Sequence, residues 1–300
     1  MILPMDIDIL SAYDDYILKS ILTRPESKPV LMDLISSVIG RTVVNVELRN
    51  NELVVIDINE KNERLDVNCT IDSGDQVNVE IQASRMEERI AGEHRNFINR
   101  TIYYLTDLHS SQKSKGVDYF DIARTYQITF CMYTVFPNYH GYINPINMRR
   151  PDGELISDQI NAVIIELSKL GEMLKKPAEN MTPLDMWSVF LRYVDDPKQR
   201  KLINELIDRK EALGMAGEAL LTISKDEHER AKFLSRKKFE NDLYSNMRTA
   251  EIRGENRGRE EGSNNRAFNI ARNLLDMNMT IDDVVKSTGL SYDEVKDLKK

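Results

Sequence analysis

The sequence predicts an α/β fold: a mixed sheet flanked by helices, with an α-helical extension at the C-terminal end. Three observations predict it. Two neighbouring runs, 64–71 and 76–82, alternate apolar and polar residues with the period of a half-buried strand. The run 125–136 is mostly apolar, as in a central, buried strand. Apolar residues recur at helical spacing over about 12–40 and 86–110, and after about residue 175 the chain turns helical.

In chain order, Ile17, Leu18, Ile21 and Leu22, then Val30, Leu31, Leu34, Ile35 and Val38, mark a helical stretch. Pro25 and Pro29 divide it into two helices, and Gly40 ends the second. Strands are expected at about 43–49 and 53–58, then a hairpin over 64–82 whose turn is Asp72-Ser-Gly-Asp75. A long helix covers about 86–110, and the strand 125–136 comes after it. Shorter strands near 140–146 and 160–167 complete the sheet. Thr182 caps the next helix, with Pro183 at its first position and Asp185 in the capping-box position. Ser224-Lys-Asp-Glu227 reads as a second start of the same kind.

Residues 226–266 are dense in charge and read as a solvated helical arm. Gly254, Gly258 and Gly262 recur every fourth residue there. On a helix they form a stripe that another helix can approach; equally, each weakens the helix by about 1 kcal/mol relative to Ala. Thr280-Ile-Asp-Asp283 and Ser291-Tyr-Asp-Glu294 are capping boxes, with Thr288-Gly-Leu290 as the turn between them. That is helix-turn-helix spacing. The second helix, 292–300, is poor in base-reading side chains and acidic at its start, so a hairpin for assembly and a groove reader both remain open. The chain thus divides into a core over 1–175, a helical extension with the charged arm over 176–266, and a small helical hairpin over 267–300.

Composition narrows the function. Forty-one Lys and Arg against 49 Asp and Glu give a formal net charge of −8, so a nucleic-acid partner requires a local basic surface. Cys69 and Cys131 lie in apolar strand-like runs, which makes them core filler, with neither a disulfide framework nor Cys metal spacing. No apolar run approaches the roughly 20 residues of a membrane helix, and the N-terminus lacks the basic start and apolar core of a signal peptide. The expectation is a soluble, cytoplasmic protein. There is no lipidation motif, phosphate-binding Gly-rich loop or Ser-His-Asp or Cys-His spacing.

The hairpin carries the chemistry. Leu65, Val67, Cys69 and Ile71 face one way, as do Val77, Val79 and Ile81; Asp66, Glu80 and Gln82 face the other. Matching faces leave two simple registers, with Asp66 opposite Glu80 or opposite Gln82. Like charges across a strand pair are destabilising, and a divalent cation between Asp66 and Glu80 relieves them. Mg²⁺ takes oxygen ligands, commonly one or two carboxylates with waters and substrate phosphate. The backbone carbonyl of Ile81 offers a third ligand, and Gln82 returns to the same face to orient a metal-bound water. The competing reading is a solvated sheet face that happens to be acidic. Asp57 is a similar-looking residue placed nearer a strand end.

On the following helix, Ile90, Phe97, Ile98, Ile102, Leu105 and Leu108 form an apolar stripe. Arg89, Asn96, Arg100 and Tyr103 fall on the opposite or flanking face. Guanidinium, amide and phenol groups suit phosphate, and Arg100 is the foremost candidate, with Arg89 and Tyr103 beside it. His94 and His109 sit at the stripe's boundary, without a cluster that would hold zinc.

Asp66, then Glu80-Ile-Gln82, followed by a helix with Arg100-Thr-Ile-Tyr-Tyr104, resembles the PD-(D/E)XK nuclease family transposases, also called Rpn recombination-promoting nucleases. Asp15-Tyr-Ile-Leu-Lys19 is similar to the family's N-terminal opening, Asn161–Leu167 to its later strand, and the Gly-spaced arm and Thr288-Gly-Leu-Ser291 to its tails. The resemblance runs over most of the chain. It implies a restriction-endonuclease-like fold and a Mg²⁺- or Mn²⁺-dependent DNA endonuclease linked to recombination or mobile elements. By position it carries over Asp66, Glu80 and Gln82, with glutamine in place of the motif lysine, and assigns Asp15 and Lys19 supporting places. One departure is Asn68, where the family strand is expected to be basic; it reduces phosphate attraction near the site. The alternative is a catalytically weak or inactive nuclease-derived DNA-binding or assembly protein, which associates through the helical arm.

Overall fold

The computed structural model describes residues 3–49, 67–83, 93–113 and 118–298. The chain falls into two compact units, Met1–Leu234 and Ser235–Lys300.

The first unit opens with α1 (Asp15–Leu22) and α2 (Lys28–Ile39). Asp14 caps α1 by accepting from the Tyr16 and Ile17 amides. Gly40, at φ 73°, closes α2 in the left-handed conformation that glycine adopts without strain. Strands β1 (Val46–Leu48), β2 (Val67–Ile71) and β3 (Gln76–Gln82) come next, then α3 (Glu93–Ser110), β4 (Thr125–Cys131), β5 (Ile143–Arg149) and β6 (Leu155–Glu166). The expected strand at 53–58 lies outside the described residues, as does the start of the helix expected from 86.

Among the described residues six strands form one sheet, ordered β1-β2-β3-β4-β6-β5. β1, β2 and β3 form an antiparallel meander; β3, β4 and β6 are parallel; β5 returns antiparallel on the edge. The β2–β3 turn holds Gly74 at φ 82°, with the Ile71 amide donating to the Asp75 carbonyl at 3.0 Å. Val67 pairs with Val79 and Cys69 with Val77, the first of the two expected registers.

The strand expected near 140–146 lies three residues later, at Ile143–Arg149, and two further strand expectations need larger correction. The strand expected over 125–136 ends at Cys131, because a carboxylate captures the backbone just beyond it: Glu166 accepts from the amides of Val135 at 2.5 Å and Phe136 at 3.0 Å. The strand expected near 160–167 begins five residues earlier, at Leu155, where it pairs with β5 in a hairpin that extends beyond β4. The edge strand carries its own protection. The Glu166 amide donates to the Tyr142 carbonyl, which makes alternate positions of β5 the bonded ones and turns the Pro145 nitrogen outward. An outward proline offers no donor to a further strand.

One face of the sheet is apolar and belongs to the main core. Val67, Cys69, Ile71, Val77, Val79, Ile81, Ile128, Phe130 and Ile165 pack there with Ile17, Ile21, Leu31, Leu34 and Ile35 of α1 and α2. Trp187, Val189 and Phe190 of α4 (Pro183–Tyr193), Ile203 and Leu206 of α5 (Arg200–Arg209), and Leu213 and Leu220 of α6 (Glu211–Lys225) join the same cluster. Burial pushes the Cys69 thiol up to about 12, so it stays an inert filler. The opposite face is covered over β4 and β6 by α3, through the smaller cluster Phe97, Cys131, Tyr133, Val135 and Ile164.

The capping box at Thr182 is complete: Thr182 Oγ1 accepts from the Asp185 amide at 3.1 Å, and Asp185 accepts from the Thr182 amide at 2.8 Å. Asp185 also takes the Tyr142 hydroxyl and the Lys176 ammonium, tying the β4–β5 connection to α4. Burial raises the Asp185 pKa, but these hydrogen bonds outweigh it and hold the carboxyl below its ordinary 3.8. A depressed folded-state pKa means stability that is full above the unfolded value and lost as pH falls through the folded one. Thermal melts of wild type and Asp185→Asn are expected to differ at neutral pH and to converge as the pH is taken below about 3.8. A gap constant with pH excludes this role.

The second helix start is also corrected. Ser224 is the penultimate residue of α6, and its hydroxyl accepts from the Leu10 amide at 3.0 Å. The cap belongs to Asp226, which accepts from the Glu229 amide at 2.9 Å and starts α7 (Glu227–Asp276). From Ser235 onward α7 is charged and exposed until its last turns, apart from scattered partly buried residues. In the second unit Ala271 of α7 packs with Val284 of α8 (Ile281–Thr288) and with Leu290 and Val295, the latter on α9 (Tyr292–Leu298). Thr280 and Ser291 cap α8 and α9, and Gly289, at φ 74°, turns the chain between them.

Candidate active site

Alternation along β3 places Gln76, Asn78, Glu80 and Gln82 on the sheet face opposite the main core. Parallel pairing sets them beside Thr125, Gln127, Thr129 and Cys131 of β4. This face is polar and yet shielded: Gln76, Asn78, Thr125, Gln127 and Thr129 are all buried. Buried polar groups are costly unless hydrogen-bonded, and here Asn78, Gln127 and Thr129 bond to one another while Gln76 donates to the Gly74 carbonyl. Asn78 Nδ2 donates to Gln127 Oε1 at 2.8 Å, and Gln127 Nε2 donates to Glu80 Oε2 at 3.1 Å and to Thr129 Oγ1 at 3.2 Å. At the far end His109 Nδ1 meets Thr125 Oγ1 at 2.9 Å, and burial lowers the His109 pKa, favouring the neutral ring.

Glu80 is the partly exposed end of this ladder. Its side chain is 12% exposed, and its Oε1 takes a hydrogen bond from Gln82 Nε2 and lies 3.9 Å from the Arg100 guanidinium. Glu80, Gln82 and Arg100 are therefore brought together. The Gln82 carbonyl accepts from the Met132 amide, toward β4. Strand alternation then turns the Ile81 carbonyl to the other side, toward β2. The Glu80 carboxylate and the Gln82 amide oxygen, with the Ile81 carbonyl on the β2 side of the strand, are hard oxygens of the kind that fit Mg²⁺ or Mn²⁺. Among the described residues no three His, Cys, Asp or Glu cluster as a metal site.

Asp66 and Arg89 lie outside the described residues. Asp15 and Lys19 stand four apart on α1, which packs along β3; Lys19 is buried. Tyr103 is 65% exposed, its ring edge-on to Tyr104 at 5.7 Å. The apolar stripe of α3 is corrected at Ile102, which is 52% exposed. Phe97, Thr101 and Leu105 are the buried positions, one helical turn apart, and they set the face from which Arg100 reaches Glu80. Sequence reading missed Asn78, Gln127 and Thr129. The signal was present: Thr125, Gln127 and Thr129 put polar residues at every second position of an otherwise apolar run.

Residues 12–250 match the PD-(D/E)XK nuclease family transposases. The chain belongs to that family. Residues 264–300 match the C-terminal helix-turn-helix domain of the Rpn/YhgA-like nuclease family, the segment built around Ala271, Val284 and Val295. No curated protein and no solved structure is matched. Membership in the PD-(D/E)XK nuclease family agrees with a mixed sheet, six-stranded among the described residues, flanked by helices. Nucleases of the PD-(D/E)XK kind usually use divalent metal ions, and the nuclease and helix-turn-helix matches point to DNA and to mobile elements. No helix among the described residues is long and apolar enough to cross a membrane.

Proposed function

We propose that the protein is a metal-dependent DNA endonuclease that hydrolyses phosphodiester bonds in recombination or in the movement of a mobile element. The observation that carries the reading is Glu80, Gln82 and Arg100 converging on a shielded polar sheet face, in a chain of this family. Asp66, Glu80 and the Ile81 carbonyl are the residues assigned to hold Mg²⁺ or Mn²⁺. That ion, when bound, polarises the phosphodiester and lowers the pKa of its water. Gln82 orients the attacking water through its amide. Lacking a lysine's charge, it neutralises less of the developing negative charge, and Arg100 supplies the cation, with Arg89 and Tyr103 as further phosphate contacts. Asp15 and Lys19, on α1 at the core side of β3, are assigned supporting places.

DNA is the substrate, which sets the work inside the cell. The C-terminal helix-turn-helix adds a second DNA contact. Phe239, Leu243 and Met247, exposed one turn apart on α7, support association of copies through the arm. Supercoiled plasmid, incubated with the full chain and Mg²⁺, Mn²⁺ or EDTA, tests the activity. Nicking with either cation and none with EDTA is expected. DNA binding without nicking in any condition would favour the alternative, a nuclease-derived binding and assembly protein.

A further inference from the structure

We infer that Gln127 is a positioning residue that makes Glu80 a one-oxygen ligand and so selects a small cation over a larger one. The inference rests on the metal-site reading of Glu80. Gln127 is 1% exposed, lies on β4 beside Asn78 and reaches Glu80 along the sheet face. Three hydrogen bonds use both of its N–H donors and its carbonyl: Nε2 to Glu80 Oε2 and Thr129 Oγ1, and Oε1 from Asn78 Nδ2. An ionised carboxylate only accepts, so Gln127 must present its NH₂ group to Glu80. Asn78 fixes that orientation by donating to the other end.

The two oxygens of Glu80 therefore differ. Oε2 is held on the buried side by an amide that cannot move without leaving buried polar atoms unpaired. Oε1 meets Gln82, which is partly exposed, and the Arg100 guanidinium, whose nearest nitrogen is buried and stands 3.9 Å away, beyond hydrogen-bond length. Of the two oxygens, Oε1 is the one whose described partners include a partly exposed side chain, Gln82, that can swing aside for a cation. Mg²⁺ and Mn²⁺ accept such one-oxygen carboxylates in compact six-coordinate shells, whereas Ca²⁺ takes more ligands and often both oxygens of a carboxylate. A carboxylate with one oxygen withheld disfavours Ca²⁺.

The test is metal binding to the full chain, without DNA, by titration calorimetry with Mn²⁺ and with Ca²⁺. Wild type is expected to bind Mn²⁺ at least about tenfold more tightly than Ca²⁺, and Gln127→Met, similar in length and without donors, to move that ratio toward Ca²⁺ by about tenfold, at the lower end of outer-shell effects. A merely structural role weakens both ions together, so equal losses, or an unchanged ratio, overturn the inference. Thermal melting checks the fold. If Gln127→Met does not fold, Asn78→Leu leaves the Gln127 amide in place but unfixed, and the same shift, smaller, is expected; no shift there also overturns it. Glu80→Ala separates the two levels. Metal binding that wild type lacks, or that Glu80→Ala leaves intact, removes the metal-site reading itself. Binding lost in Glu80→Ala with the ratio unmoved in Gln127→Met removes only the role of Gln127.

Discussion

Glu80→Ala is expected to reduce metal-dependent plasmid nicking by more than about 100-fold while leaving the melting temperature nearly unchanged. The size comes from comparison: replacing a group that merely supports a ligand already costs 10–100-fold in affinity or activity, as a rough guide, and Glu80 is read as a ligand itself. The stability side comes from position. Glu80 is partly exposed near the end of its strand, and its loss takes one acceptor from Gln127, which keeps Thr129 Oγ1, and one from Gln82, but opens the place to water. Asp66→Ala is expected to behave alike on the activity side. Nicking that survives undiminished in the Glu80 variant, at equal protein and metal, rejects this carboxylate as the centre of the chemistry. Comparing Glu80→Gln adds the charge question, since an amide of similar size keeps an oxygen but loses the negative charge that holds a divalent cation.

The largest stability effect is expected at Glu166, a residue with no part in that chemistry. It is fully buried and accepts from the Val135 amide at 2.5 Å, the Phe136 amide at 3.0 Å, Asn144 Nδ2 at 2.8 Å and Lys169 Nζ at 2.5 Å. Lys169 in turn donates to the carbonyls of Phe136, Tyr139 and Gly141. This clasp ends β4 and folds the 132–142 connection against the ends of β4 and β6. Removing one partner of a buried pair costs about 3–5 kcal/mol, because the other charge is left unpaired. Two backbone amides and one side-chain amide lose their acceptor as well. Against a total of about 5–15 kcal/mol for a domain, Glu166→Ala is expected to bring the first unit near its unfolding threshold. Urea melts should show the midpoint falling with the slope held. A change under about 1 kcal/mol, typical of an exposed ion pair, rejects the clasp. Lys169→Met should cost less, since Glu166 then keeps three neutral donors.

Much of this fold was legible in local signals because local physics writes them. Pro25, Pro29 and Gly40 bounded the first helices through backbone sterics, and Thr182-Pro183 with Asp185 announced α4 through an end-group requirement that any helix has. The alternation of 67–71 and 76–82 fixed which side chains share a face, and so put Glu80 and Gln82 together whatever the sheet around them. The places where reading failed share a different physics. Ser224 had the residue spacing of a cap, but its hydroxyl was claimed by the Leu10 amide 214 residues away. The run 125–136 had strand composition throughout, but Glu166, 31 residues beyond Val135, took the backbone amides a longer ladder would have used. Ile102 fits a helical apolar pattern, yet α3 lies over only part of the sheet and leaves it in solvent.

Periodicity and short patterns along the chain were enough to specify the α/β class, the hairpin and its turn, the parity of Glu80 and Gln82 and the family to which the chain belongs. Neighbours in sequence suffice for each of these. Long-range packing was needed to lay β4 parallel beside β3, to bring Asn78 and Gln127 together there so that they hold one oxygen of Glu80, and to let Glu166 clasp the connection that leaves β4. Those pairings join residues tens of positions apart. Period tells which face a side chain takes, but only strand order and register tell which side chain stands next to it.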